Sequence, residues 1–278
     1  MSHRPSKQTA SSKASKDKVI DQALHAPDYF VRANAIKQIQ DQNILWRIAL
    51  NDPDYFVRQT AVEKIEDQQM LVRIAHEEKD YYVRLAAVKK VECPKSLAKI
   101  VLSSQNDYYI CKDALSNITD NDVLASLVEG ITDRDIKSAA VQAITDQQVL
   151  AHIARTNSDF YVRSDALKKI TDQQVLSFIA LNDQDFYVRA LAVHQIDDPV
   201  VVQEVATSDQ DYYVRGQAVS RISDVKVLRE IALNDPDFEV RKKAIANIYD
   251  TETLNFLSDA VTDSFLLRKI KTQIESLP

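Results

Sequence analysis

Two cysteines and five histidines are all that this 278-residue chain offers for thiol or imidazole chemistry. Cys93 and Cys111 lack a Cys-x-x-Cys partner. His25, His76, His152 and His194 stand apart, without the i,i+4 spacing that brings two imidazoles to one metal ion. Glycine occurs only at Gly130 and Gly216, against a usual share of ~7%. Two glycines so far apart cannot build G-x-G-x-x-G, G-x-x-x-x-G-K-[ST] or G-x-S-x-G. The dinucleotide-binding fold, P-loop NTPases, the kinase phosphate loop and the usual hydrolase elbow are therefore excluded together. No catalytic residue and no metal ligand is assigned, no cofactor is expected, and the chain reads as a non-enzyme.

What recurs is recognition chemistry. The string Asp-aromatic-aromatic-Val-Arg runs from Asp28 to Arg32, Asp54 to Arg58 and Asp80 to Arg84, then from Asp159 to Arg163, Asp185 to Arg189 and Asp211 to Arg215. Looser copies start at Asp107, Asp133, Asp237 and Asp263, and the copy at Asp237 keeps its arginine as Arg241. The period is 26 residues, with a single 27 between Asp80 and Asp107. Ten registers at one period do not arise by chance, and a period of this size means a repeat array.

Each repeat must hold these residues on two helices. A first pattern, helix A, carries Ile44, Leu45, Ile48 and Ala49; a second, helix B, carries Val57, Ala61, Val62 and Ile65. Both spacings are helical rather than alternating. Helix A starts are marked by Asp41, Asp67, Asp120, Asp146, Asp172, Asp198, Asp224 and Asp250. At Asp52-Pro53-Asp54 the expectation is Asp52 as N-cap of helix B, Pro53 at its first position and Asp54 just inside. One helix pair cannot bury its own apolar face, so the hairpins must stack. The predicted fold is all-α: an α–α superhelix, or solenoid, of about ten two-helix repeats over residues 15–278, preceded by a disordered basic tail over 1–14. The last repeat is expected to close the array, with Leu266, Leu267, Ile270, Ile274 and Leu277 inside and Arg268, Lys269, Lys271 and Gln273 outside.

The Asp-x-x-Val-Arg-x-x-Ala-[Ile/Val] strings resemble HEAT-like repeats, and the short period resembles the leucine-rich repeat variant family. The resemblance implies a scaffold or adaptor whose B helices line a concave, armadillo-like face and bind a protein partner. It also implies that the Asp and Arg of neighbouring repeats form a structural ladder. In the variant family one helix of each pair is 3₁₀, which leaves helix A open between α and 3₁₀. Some HEAT-like solenoids are glycosylases or chromophore lyases, so an enzyme accessory is a further reading.

On a wheel of about 100° per residue, with the Val at zero, the core of helix B centres near about 65°. The arginine falls about 35° from that centre and four residues after the aspartate, the favourable ion-pair orientation. The structural ladder is therefore assigned to Asp28 and Arg32, Asp54 and Arg58, Asp80 and Arg84, Asp159 and Arg163, Asp185 and Arg189, Asp211 and Arg215, and Asp237 and Arg241. The second aromatic falls about 165° from the centre, so Phe30, Phe56, Tyr82, Tyr109, Tyr161, Tyr187 and Tyr213 point away from their own core. Each ring either covers the next repeat or joins a ridge that grips a partner. The first aromatic is expected in the core between repeats.

Six and seven residues after the Val, Lys37, Lys64, Lys89, Lys90, Lys168, Lys169 and Arg221 make an outward basic stripe. With the aromatics, Lys89, Lys90, Lys168 and Lys169 are candidate partner contacts, and with the tail they support a second reading, nucleic-acid binding. Charge opposes it. The net charge is −6, and residues 1–18 hold five cations against one aspartate, leaving −10 on the body. A sequence pI near 5.4 lacks the usual basic footprint. No stretch is apolar enough to span a membrane, and so few cysteines suggest a reducing cytoplasm. The expected partner is a protein or peptide of unknown identity, met by a monomer. The repeats at 93–137 are irregular: Cys111 and Lys137 replace the arginine, and Arg134-Asp135 replace the aromatics.

Overall fold

The computed structural model describes the backbone of residues 7–277 and the side chains from residue 15 onward. Among them are twenty α-helices and no strand, paired as ten two-helix repeats in a solenoid arrangement. The chain forms two compact bodies, Met1–Ile144 and Thr145–Pro278. In the first, A helices α1 (Lys7–His25), α3 (Gln42–Asn51), α5 (Gln68–Glu77), α7 (Pro94–Ser103) and α9 (Asn121–Gly130) alternate with B helices α2 (Tyr29–Ile36), α4 (Tyr55–Lys64), α6 (Tyr81–Val88), α8 (Tyr108–Ser116) and α10 (Arg134–Ala143). In the second, A helices α11 (Gln147–Thr156), α13 (Gln173–Asn182), α15 (Pro199–Ser208), α17 (Val225–Asn234) and α19 (Thr251–Ala260) alternate with α12 (Phe160–Leu167), α14 (Phe186–Val193), α16 (Tyr212–Val219), α18 (Phe238–Ala246) and α20 (Ser264–Glu275). Of the basic tail expected over 1–14, residues 1–6 lie outside the described residues, and the backbone is helical from Lys7.

Every helix from α2 onward except α7 begins on an aspartate whose side chain accepts backbone N–H groups. Asp41 does so for Asn43 and Ile44, and Asp185 for Tyr187 and Val188. Such a cap satisfies donors that have no partner inside the helix and is worth ~1 kcal/mol. At α7 the cap position is Cys93, without a side-chain bond, followed by Pro94. The N-cap of α4 is Asp54, not Asp52: Asp52 ends α3 as its C-cap, in extended backbone, and Pro53 lies between the helices. Ending helix A in extended conformation also explains the missing glycines. No described residue has a positive φ, so no turn needs glycine's freedom.

The A helices are ten-residue α-helices from α3 onward, so the 3₁₀ form implied by the variant-family resemblance is absent among the described residues. Within each body every A helix packs on its own B helix, and each B helix on the next. Val57, Ala61, Val62 and Ile65 are fully buried, as are Leu45 and Ala49 opposite them. Full burial of a Val or Ile stabilises by ~1.5–3 kcal/mol against exposure, and the alanine lets neighbouring B helices approach. The last repeat follows expectation at Leu266 and Ile270, which are buried, whereas Leu267, Ile274 and Leu277 are only half-buried. Gln273, expected outside, is buried, its amide donating to the carbonyls of Ala246 and Ile248, because its position faces the preceding B helix.

Candidate partner-binding surface

The repeated arginines are structural, but their carboxylate partners are not the helix-start aspartates four residues earlier. Those aspartates turn back onto the backbone: Asp28 accepts from Phe30 N at 2.7 Å and Asp54 from Phe56 N at 2.9 Å. Five of the seven arginines instead reach forward to the residue that ends the next helix A. Arg32 holds Asp52 at 2.7 and 2.9 Å, and Arg163 holds Asp183 at 2.8 Å through both Nε and Nη2. Arg189 grips Asp209, and Arg215 grips Asp235, in the same two-pronged way. Arg58 pairs with Glu78 at 3.1 and 3.3 Å. Arg84 takes Asp107 at 2.5 Å, and Arg241 bonds only carbonyls, of Asp235 and Pro236.

The remaining Nη1 of each arginine donates to its own turn, as Arg58 does to Asp52 O at 2.9 Å. The carboxylate meanwhile accepts the N–H of the following helix-start aspartate, as Asp209 does from Asp211 at 2.8 Å. One guanidinium thus staples two successive turns. The carboxylate bond holds Arg32, Arg163, Arg189 and Arg215 above the ordinary guanidinium value. Arg163, Arg189 and Arg215 are buried, and a buried two-pronged pair is costly to break from one side only.

A second set of clamps uses glutamine. Gln42 donates to Lys64 O at 3.3 Å and accepts from Glu66 N at 2.9 Å. Gln68, Gln147 and Gln173 repeat this on the turn of the next repeat. The signal was present in the sequence as Asp-Gln at each of those four helix starts. The pairing rule for arginine was present too, since an acid stands 20 residues after Arg32, Arg58, Arg163, Arg189 and Arg215.

With the arginines committed to the turns, the aromatic doublets remain on the outside. Phe30, Phe56, Tyr82, Tyr109, Tyr161, Tyr187 and Tyr213 are all exposed, from 39% at Phe56 to 66% at Tyr109. Most first aromatics do not enter a core between repeats: Tyr29, Tyr55, Tyr108, Phe186 and Tyr212 are exposed as well, while Tyr81 and Phe160 are half-buried. The reason is that both positions lie in the first turn of helix B, beside the cap. The rings meet across repeats instead. Tyr29 lies edge-on to Phe56 at 6.3 Å, Tyr55 lies 5.9 Å from Tyr82, and Phe186 lies edge-on to Tyr213 at 6.1 Å. These are preferred aromatic geometries. Half-exposed rings therefore line the N-terminal ends of the B helices in each body, and they touch between repeats at α2–α4, α4–α6 and α14–α16. Carboxylates flank them: the Tyr81 hydroxyl is held above its ordinary value first by burial, then by Asp113 and Asp107.

The basic stripe is divided. Lys64 donates to Lys37 O at 2.6 Å and Lys90 to Glu63 O at 2.5 Å, capping the preceding B helix; burial holds Lys90 and Lys169 below the usual lysine value. Lys89 and Lys168 are exposed, and Lys168 pairs with Asp165 at 2.8 Å.

At the irregular repeats the surface opens. A groove of about 660 Å³ lies between α8 and α10, with Tyr108 and Asp135 at one end and Leu115, Ser116 and Ala143 at the other. On α8 the buried Cys111 thiol, which donates to Val101 O and Ser104 O, is pushed up to about 12 by desolvation, with Asp107 and Asp133 adding to the shift. Among the described residues no group of three or more His, Cys, Asp or Glu side chains could hold a metal ion, and no helix is long and apolar enough to cross a membrane.

No family model matches this chain, and no curated protein does. Among solved structures it is similar to the crystal structure of YibA from Escherichia coli, at 15% identity over 99% of both chains with a TM-score of 0.25. It is also similar to a designed armadillo repeat protein, at 16% identity over 94% of this chain and 99% of that one with a TM-score of 0.15. A third is a computationally designed self-assembling cyclic homo-oligomer, at 15% identity over 96% of this chain and 89% of that one with a TM-score of 0.12. The two-helix repeat solenoid stands on the chain's own helices and contacts.

Proposed function

We propose that this protein is a binding scaffold or adaptor that captures an exposed segment of a partner protein along the aromatic ridge of its B helices. The observation that supports it is the ridge itself: the second aromatic of seven repeats is exposed, and rings meet across three of the junctions between repeats. Isolated exposed rings are ordinary, but contiguous ones mark interaction surfaces, and Tyr anchors dominate binding energy where they are buried by a partner. The nucleic-acid reading has less behind it, because Lys64 and Lys90 spend their ammonium groups on backbone carbonyls.

The test is a variant carrying Phe56→Ala, Tyr82→Ala, Tyr161→Ala and Tyr187→Ala. All four side chains are exposed, so helicity and melting temperature are expected to stay near wild type. Partner capture from native cell extract, quantified against the wild-type protein, is expected to fall at least tenfold, since one ring of hot-spot quality contributes ~2 kcal/mol or more. Undiminished capture by the folded variant overturns the reading.

A further inference from the structure

We infer that the groove between α8 and α10 is an anchor site for an arginine side chain carried by the partner segment; this rests on the ridge reading, because Tyr108 belongs to both. The argument begins with what fills the same place elsewhere. In six repeats a donor seven residues after the core Val or its equivalent reaches back to a carbonyl near the C-terminal end of the preceding B helix, while Gln195, at the same position, makes no such bond. Lys64 bonds Lys37 O, Lys90 bonds Glu63 O, and Asn117 bonds Val88 O. Arg221 bonds Val193 O, Asn247 bonds Val219 O, and Gln273 bonds Ala246 O. In α10 this position is Ala143, whose methyl group can neither reach nor donate. Ser138 and Ala139, on the same wall, are also small.

The space they leave is the groove. Leu115 and Ser116 line it, and they stand 28 and 27 residues before Ala143, the separation used by Arg221 and by Lys64. The C-terminal end of α8 also carries the negative end of a helix dipole, which favours a cation. At the other end are an aromatic face, Tyr108, and a carboxylate, Asp135. Lys112, exposed on the α8 wall, opposes a cation, and Asp135 across the groove offsets it.

Arginine meets these demands together. Its fork donates to several acceptors, its plane stacks on a ring, and its stem covers apolar wall. Arg221 already does the carbonyl-capping part of the task from within the chain. The partner's arginine would complete the missing rung from outside.

The experiment is an amide-resolved NMR titration of the full-length protein with acetyl-Ala-Ala-Arg-Ala-Ala-amide, beside the same peptide with citrulline in place of arginine. Citrulline keeps the shape and removes the charge. Saturable shifts centred on Leu115, Ser116 and Ala143 are expected for the arginine peptide alone, and Ala143→Gln, which supplies the rung internally, is expected to weaken binding at least tenfold. Equal response to citrulline, shifts scattered over the acidic surface, no response, or unchanged affinity in folded Ala143→Gln overturns the proposal. Should that variant not fold, the two peptides on the wild-type protein decide. A titration that fails while the ridge variant still loses its partner removes the groove alone. Normal capture by the ridge variant beside a positive titration removes the ridge reading alone.

Discussion

The repeats around α12, α14 and α16 and those around α8 and α10 share one backbone plan and differ in how each is tied to the next. In the former, Arg163, Arg189 and Arg215 grip Asp183, Asp209 and Asp235, and all three arginines are buried. In α8 the corresponding residue is Cys111, and the residue 20 further on, where the carboxylate would stand, is Ile131; both are fully or almost fully buried. An ion pair has been exchanged for an apolar pair. Such an exchange is often neutral in stability, because the desolvation cost disappears with the charges. The comparison teaches that the carboxylate and its arginine can be lost together: α8 lacks both, whereas Arg241 keeps its bonds to the turn carbonyls with Val261 at the partner position.

The largest effect should come from breaking one member. Arg189→Ala strands Asp209 in a buried turn and is expected to cost ~3–5 kcal/mol, read from urea unfolding with amide exchange to localise the loss. Lys137→Ala, at the same repeat position but partly exposed, is expected to cost under ~1 kcal/mol. Similar costs for the two would end the distinction between the regions.

Next in size is the converse change. Cys111→Arg places a charge opposite Ile131 and is expected to cost ~3 kcal/mol. Adding Ile131→Asp should recover more than half, measured as the coupling energy of a double-mutant cycle. Additive losses would show that the clamp is not a transferable pair. The smallest effect is expected at the glutamine clamp. Gln173→Ala removes bonds to Gln195 O and Asp197 N and should cost ~1–2 kcal/mol. Gln105, which accepts from Thr132 N at 2.8 Å in the irregular loop, should behave alike, so a silent Gln105→Ala would mark that loop as looser than the regular turns.

Much of this architecture was legible in the sequence. The aspartates at Asp41, Asp67 and their equivalents cap helix A as their type requires, and Val57, Ala61, Val62 and Ile65 form the buried stripe their spacing demands. Where the structure departs from the sequence pattern the cause is shared: the neighbouring helix decides what a single helix leaves open. Asp52 and Asp54 are equally able to cap; only the packing of α3 on α4 makes one the end of the first helix and the other the start of the second. On a wheel, Arg58 sees Asp54 four residues back, while in the stack a nearer carboxylate, Glu78, arrives from the next repeat. The outward direction of the second aromatics followed from the wheel, yet their contact with neighbouring rings did not. The α8–α10 groove depends on what Ala143 lacks, visible only once the rungs at Lys64, Lys90 and Asn117 are known.

The reach of the clamps has a consequence for how the chain folds. The arginine bonds span 20 residues wherever the period is regular, the glutamine bonds 22 and 24, and the rungs between B helices 27 to 29. No such bond ties a repeat to anything beyond its immediate successor. Contacts this local close small loops, cost little chain entropy and favour fast folding. A nucleus can form at any pair of clamped repeats and grow by adding one hairpin at a time. Cooperativity then travels along the array only as far as each clamp passes it on. Where Ala143 leaves the rung between α8 and α10 unmade, growth is expected to pause and local opening to be favoured, so the place that offers room for a visiting arginine is also one where the array is loosely tied.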